Sequence, residues 1–247
     1  MPDPRSSRWF LRPPAPDPAA RLFCLPYSGC GASMYRNWPA VVGDVEVCPI
    51  QLPGRENRLR EEAPDTYEEL AADMVEALLP YLDRPFAFFG HCASALSGYA
   101  AAVRLAVRSY PVPARLFVSS QVAPHQGPHG RFLEMTGDEL RKEVHELIVR
   151  AGGRPLPTLV DLSLEVLRSD VEMNRRYRPE APVRLPCPIT AIGWRQDAEV
   201  DPGLMSGWAE CGETEFRSLD GEHYRFMEAP AELMSLFPLD LGRPAWF

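Results

Sequence analysis

The sequence contains no run of eighteen consecutive apolar residues in its 247 positions, and so no stretch typical of a membrane-spanning helix. Its first twenty residues are rich in proline and hold no apolar stretch of signal-peptide length. We therefore expect a cytoplasmic protein with no membrane partner. Residues 1–20 are predicted to form an N-terminal extension that can be flexible.

Positive charge is also scarce, because 26 lysines and arginines stand against 34 acidic residues, for a net charge of −8. A nucleic-acid-binding protein needs a basic face to neutralise phosphates, so we expect no nucleic-acid partner. The six cysteines lack the C-x-x-C and Cys/His spacings of zinc sites, and no export signal favours disulfides. We expect no bound metal, no cofactor and mostly reduced, buried cysteines.

Short apolar runs alternate with helical patterns along most of the chain. Strands are predicted at residues 21–26, 45–50, 86–89, 116–118, 189–193 and 215–219, and helices at 34–38, 70–79, 93–107, 204–210 and 231–237. Thr66 and Glu69 have the spacing of a capping box before the second of these helices. The alternation predicts an α/β fold, with a mostly parallel sheet covered by helices on both faces.

The alternation stops between about residues 126 and 186. Two helical patterns, 138–150 and 159–173, lie there between glycines and prolines. We interpret the segment as a helical lid inserted into one domain that spans residues 21–247.

Residues 88–95 (FFGHCASA) carry the main chemical signal. A nucleophile on a sharp turn from a strand into a helix needs small residues two positions away on each side, usually as G-x-S-x-G. This chain has Gly90, Cys92 and Ser94 in those positions, with His91 and Ala93 between them. The pattern predicts Cys92 as a catalytic nucleophile; the alternative is a small buried hydrophobic residue.

Two partners follow in the chain order expected for such an enzyme. Asp197 lies just after a predicted strand, where a carboxylate can orient an imidazole, although Glu199 or Asp201 could take that role. His223 lies in the loop after the last predicted strand and is the predicted general base. The other histidines lie in the turn or in the lid region: His91, His125, His129 and His145.

An oxyanion hole is predicted from two backbone amides. One belongs to Ala93, directly after the nucleophile, and the other to the glycine-rich turn after the first strand, at Ser28. An ordinary glycine-rich turn is the alternative interpretation.

With these segments placed, the chain resembles the type II thioesterases of polyketide and nonribosomal peptide biosynthesis, from about residue 21 to 237. Besides the turn at Cys92, the resemblance rests on residues 25–32 (LPYSGCGA), 51–58 (QLPGRENR), 119–125 (SSQVAPH) and 177–179 (YRP). It implies an α/β-hydrolase fold with a helical lid and a triad of Cys92, Asp197 and His223. It also implies an acyl-carrier or peptidyl-carrier protein as partner, with the acyl group on its phosphopantetheine arm.

The chain departs from this family at the nucleophile, where the family has serine, and at Ser94, where it has glycine. A thiol with a pKa of about 8.5 is already partly ionised at neutral pH, so acylation remains feasible. Serine would give an oxyester, whereas Cys92 would give another thioester, which keeps the acyl group activated. Three functions stay open: hydrolysis, transfer or cyclisation onto an amine, hydroxyl or carbanion, and carrier binding without chemistry.

Two groups of arginines are candidates for docking an acidic carrier protein. They are Arg55, Arg58 and Arg60, and Arg175, Arg176 and Arg178. Solvated surface is the alternative interpretation.

Overall fold

The computed structural model describes residues 4–241 and contains one seven-stranded sheet. Its strands are β1 (Ala20–Cys24), β2 (Val41–Val42), β3 (Val45–Pro49), β4 (Phe86–His91), β5 (Arg115–Ser119), β6 (Ile189–Trp194) and β7 (Thr214–Leu219). The strand order is β2-β3-β1-β4-β5-β6-β7, and every neighbouring pair is parallel except β2 with β3. The predicted strands and their mostly parallel arrangement are confirmed, while the short β2 has no counterpart in the prediction.

The helices are α1 (Pro4–Ser7), α2 (Tyr67–Leu78), α3 (Ser94–Val107), α4 (Gly137–Arg150), α5 (Pro157–Arg176), α6 (Trp208–Cys211), α7 (Ala231–Met234) and α8 (Leu236–Leu241). Two of the predicted helices are helical in the structure, but wholly or partly of the 3-10 type. Residues 34–37 belong to a 3-10 helix, Ala32–Asn37, and Trp38 is its C-cap. The predicted helix 204–210 divides at Gly207 into a 3-10 turn and the short α6, because glycine disfavours a continuous helix.

Alternate side chains of the central strands face opposite sides of the sheet. Phe86 and Phe88 pack in one hydrophobic cluster with residues of α2 and α3. Ala87 and Phe89 pack in the other, with residues of α4, α5 and α7. Helices therefore cover both faces, as predicted.

The segment before β1 packs against the sheet. Trp9 and Phe10 are buried, and Phe10 forms an antiparallel bridge with Ile50. Residues 1–3 of the predicted N-terminal extension and residues 242–247 of the predicted domain lie outside the described residues. Among the residues that are described, no helix is long and apolar enough to span a membrane.

Two long helices, α4 and α5, lie between β5 and β6, where the sequence predicts a lid. A complete capping box at Thr136 and Glu139 begins α4, whereas at α2 only half of the predicted box forms. Thr66 there accepts from the Glu69 amide, but the Glu69 carboxylate accepts from the amide of Asp65 instead. Apolar residues of both lid helices join the cluster that contains Cys92.

Candidate active site

Cys92 lies on a tight turn between β4 and α3. Its backbone φ is 55°, in the left-handed region that costs a non-glycine residue about 1–3 kcal/mol. Its amide donates to the carbonyl of Ser119, 2.8 Å away on β5. A Cβ atom on Gly90 would lie 2.5 Å from the Ser94 carbonyl oxygen and 2.6 Å from the Ala95 Cα. Glycine is thus required at position 90, because the start of α3 passes directly over it.

Ser94, which stands where the usual G-x-S-x-G pattern has glycine, stabilises the same turn. Its buried hydroxyl accepts from the His91 amide at 2.9 Å and donates to the His91 carbonyl at 2.9 Å. The departure from glycine therefore adds side-chain hydrogen bonds inside the turn without blocking it.

His223 and Asp197 form a hydrogen-bonded pair. The Nδ1 of His223 lies 2.9 Å and 3.1 Å from the two carboxylate oxygens of Asp197. Asp197 also accepts from the Ser120 hydroxyl at 2.6 Å and from the amides of Glu199 and Val200. Although burial opposes it, the hydrogen bonds from His223 and Ser120 hold the pKa of Asp197 well below its usual range. Asp197 is therefore a carboxylate that orients the imidazole.

The pKa of His223 is strongly perturbed. Burial alone would lower it, but the hydrogen bond to Asp197 and the interaction with Cys92 outweigh burial and raise the pKa of His223 to about 10. The raised pKa favours the imidazolium form of the ring at neutral pH.

Glu199 and Asp201, the alternative acids, occupy different places. A carboxylate oxygen of Glu199 lies 3.4 Å from His223 Nε2, on the opposite side of the ring from Asp197, and the other lies 2.9 Å from Arg131 Nε. Burial raises the pKa of Glu199. Asp201 instead caps the following 3-10 turn by accepting from the Gly203 amide. Asp197 is thus the acid on Nδ1.

Among the other histidines, only His91 packs directly against the His223 ring. The two ring centroids are 4.5 Å apart, and His91 is fully buried, with Nδ1 2.8 Å from the Ser119 hydroxyl. Burial and the charge of His223 lower the pKa of His91, so its ring is neutral. His145 is exposed on α4.

The glycine-rich turn after β1 lies beside the start of α3. Ser28 and Ala93 line the same small space, of about 10 Å³, which approaches the volume needed for one water-sized oxygen. The amide of Gly29 donates to Asp170 on α5 at 2.9 Å. Within residues 4–241, neither the Ser28 amide nor the Ala93 amide has a partner in the protein.

Tyr27 and Ser120 were not identified from the sequence. The Tyr27 hydroxyl lies 3.4 Å from His223 Nε2 and 3.3 Å from the Tyr224 hydroxyl. Only position could have singled them out, since Tyr27 directly precedes the predicted oxyanion-hole residue and Ser120 directly follows β5. Cys92 is 4% exposed and His223 is 3% exposed, so both reacting side chains are buried.

The first group of candidate docking arginines is largely wrong. Arg55 and Arg58 are buried, because Arg55 pairs with Asp170 and Arg58 bonds to Glu61 and the Gln51 carbonyl. In the second group, Arg175, Arg176 and Arg178 are exposed.

The mostly parallel seven-stranded sheet, together with the solved structures it matches, gives the chain an α/β-hydrolase fold, as predicted. The chain belongs to the thioesterase domain family, which matches residues 20–238. This confirms the predicted family.

Individual relatives are similar over nearly the whole chain. RedJ, a thioesterase from the prodiginine biosynthetic pathway in Streptomyces coelicolor, has 33% identity and a TM-score of 0.77, covering 97% of this chain and 100% of RedJ. BorB, a type II thioesterase from the borrelidin biosynthetic cluster, has 27% identity and a TM-score of 0.78, covering 94% of this chain and 96% of BorB. LgrE of Brevibacillus parabrevis is 32% identical over 246 residues, 93% of this chain and 91% of LgrE. LgrE is named a linear gramicidin dehydrogenase, whereas the matching family and both solved structures are thioesterases.

Proposed function

We propose that the protein is a thioesterase of polyketide or nonribosomal peptide biosynthesis. It takes acyl groups from the phosphopantetheine arm of a carrier protein onto Cys92 and releases them by hydrolysis. The observation that carries the proposal is the pairing of His223 with Asp197 beside Cys92 on its strained turn. Membership of the thioesterase family and the pathways named for RedJ and BorB support the substrate class.

In the first half-reaction, the Cys92 thiolate attacks the carbonyl carbon of the substrate thioester. The bond to Cys92 sulfur forms and the bond to the pantetheine sulfur breaks, and that sulfur leaves with the Nε2 proton of His223. The amides of Ser28 and Ala93 hold the negative oxygen of the tetrahedral intermediate. The small space that both residues line supports this assignment.

In the second half-reaction, a water molecule loses a proton to Nε2 of His223 and attacks the new thioester. The acid is released and Cys92 leaves as a thiolate, which restores the thiolate and imidazolium pair. Asp197 stabilises the imidazolium before acylation and again after the water molecule has lost its proton, since the carboxylate of Asp197 stays ionised.

A cavity of about 250 Å³ next to the glycine-rich turn is suited to the acyl chain. Its walls are mainly apolar side chains of the lid helices, namely Val144, Leu147 and Ile148 on α4 and Leu159, Leu162 and Val166 on α5. Apolar walls with few polar groups are typical of a site for an alkyl or acyl chain.

Acyl transfer or cyclisation is the second candidate. The acyl-enzyme at Cys92 would be a thioester, and the observation that favours transfer is the burial of Cys92 and His223, which limits the access of water. An amine, hydroxyl or carbanion held in the cavity could then compete with water.

The experiment is acylation by a carrier-bound acyl thioester, followed by intact-protein mass spectrometry and product analysis. An adduct on Cys92 with free acid as product supports hydrolysis, while an amide, ester or ring supports transfer. Unmodified protein and intact substrate would refute both reactions and favour a carrier-binding role. The Cys92→Ser variant is the matched comparison, because an oxyester intermediate disfavours transfer to weak nucleophiles. Absence of a cofactor and a cytoplasmic location remain predictions.

A further inference from the structure

A buried ion pair joins the lid to the body of the protein. Arg55 reaches both carboxylate oxygens of Asp170, at 3.0 Å and 2.8 Å, and the two side chains are 4% and 8% exposed. Burying two charges has a desolvation cost that often cancels their attraction, so such a pair is weak evidence of stabilisation. Its contacts indicate another role.

Both partners hold the turn that contains Ser28. Asp170 accepts from the Gly29 amide at 2.9 Å, and Arg55 donates to the Cys30 carbonyl at 3.0 Å. These bonds hold the peptide group between Ser28 and Gly29 and the one between Cys30 and Gly31. A Cβ on Gly29 would lie 3.1 Å from Cβ of Leu167, so α5 contacts the turn closely here.

The segment that carries Arg55 supports the turn from its other end. Gln51 accepts from the Ala32 amide at 2.8 Å and donates to the Arg55 carbonyl at 3.0 Å. Arg55 and Asp170 also line the small space beside Ser28 and Ala93. The ion pair is therefore part of the wall of the predicted oxyanion hole.

We propose that Asp170, held by Arg55, is a positioning residue that makes the oxyanion hole depend on the lid. When α5 packs on the turn, Asp170 fixes the Gly29 peptide and thereby aims the Ser28 amide at the reacting oxygen. When α5 moves away, the turn loses that restraint. The inference rests on the proposed function, because it presumes that Ser28 and Ala93 bind the oxyanion of an acyl transfer at Cys92.

The test compares two reactions of Cys92 in the double variant Arg55→Met with Asp170→Leu, which removes both charges and keeps similar volumes. Acylation by an acyl-N-acetylcysteamine thioester passes through an oxyanion, whereas alkylation by iodoacetamide does not. We expect acylation and kcat to fall by roughly 10- to 100-fold, because the Ser28 amide is displaced and not removed, and complete loss of an oxyanion-hole donor costs about 10²–10³ in kcat. Alkylation and KM are expected to stay close to wild type, whereas the melting temperature should fall by a few degrees, because the Gly29 amide and the Cys30 carbonyl lose their partners.

The control variant replaces Arg141 and Asp161 by alanine. These two residues form an exposed ion pair, 2.7 Å apart, between α4 and α5 of the lid. We expect this variant to be acylated as fast as the wild-type protein. Asp170→Glu is the second test variant, because it keeps the charge pair but displaces the carboxylate by one methylene; it should lose acylation selectively. Wild-type acylation in both test variants, or an equal loss of alkylation, would overturn the inference. If instead the wild-type protein formed no adduct on Cys92, the proposed function itself would fail.

Discussion

The turn that carries Cys92 and the region that faces it are built differently. In the turn, residues 90–94, the decisive contacts are local: Ser94 bonds to His91, and Gly90 lies beneath Ala95. The facing region is assembled from distant segments. Asp197 is 26 residues from His223 and 77 from Ser120, and Asp170 is 141 from Gly29. The nucleophile is therefore presented mainly by a contiguous segment, with one bond from the Cys92 amide to Ser119 on β5, whereas the groups that activate it depend on the whole fold.

The strongest test of the facing region is His223→Ala. We expect kcat/KM for a thioester substrate to fall by about 10²- to 10⁴-fold, the usual contribution of a positioned acid or base. The imidazolium that pairs with Cys92 would be lost while the turn stays intact. His145→Ala, which changes an exposed histidine of α4, is the control. Equal activity in the two variants would remove His223 from the mechanism.

The matching test of the turn is Gly90→Ala. The new methyl would meet backbone atoms of Ser94 and Ala95 at about 2.6 Å or less, so we expect the free energy of unfolding to fall by about 3 kcal/mol, the upper part of the range for overpacking. Urea denaturation measures this free energy of unfolding. Gly137→Ala is the control, since a Cβ there would meet only the end of the Arg168 side chain, at 3.2 Å. Similar stability of the two variants would mean that the backbone of Ser94 and Ala95 does not restrict position 90 to glycine.

A pH profile tests the contribution of Glu199 to the charge of His223. Activity of the thiolate and imidazolium pair should disappear as pH rises through the His223 pKa of about 10, because the ring then loses its proton. Glu199 contributes to raising that pKa, so Glu199→Gln should move the upper limb of the kcat/KM profile to lower pH. Glu222→Gln, a change of an exposed neighbour, should leave the limb in place. An unmoved limb in Glu199→Gln would assign the whole shift to other groups.

The smallest expected effect is that of Ser120→Ala. Asp197 would lose one of its several hydrogen bonds, which corresponds to about 1 kcal/mol and a several-fold lower kcat. Ser218→Ala, on the exposed face of β7, controls for loss of a hydroxyl. A loss of activity as large as that expected for His223→Ala would mean that Ser120 acts directly on the substrate.

Prediction from the sequence succeeded where a single segment carries the signal. The fully apolar run before Gly90 and the alanine-rich run after Cys92 gave the bounds of β4 and α3 to within about two residues. It failed where a polar side chain had a choice of partners. Glu69 accepts from Asp65 instead of completing a capping box at Thr66, and Arg55 is buried against an acid 115 residues away instead of facing a carrier protein.

The sequence by itself determined the order of strands and helices, the small residues around Cys92, and Asp197 and His223 as its candidate partners. Hydrophobic periodicity and glycine placement, which are local properties, were sufficient for the elements and the turn, and position after a strand in the expected chain order was sufficient for the two candidate partners. Only the tertiary structure decided that Glu199 lies on the other side of the His223 ring from Asp197, and that the lid helix holds the turn at Ser28 through Asp170. These contacts join residues far apart in the chain, whose distances are set by packing of the whole domain and not by spacing in the sequence.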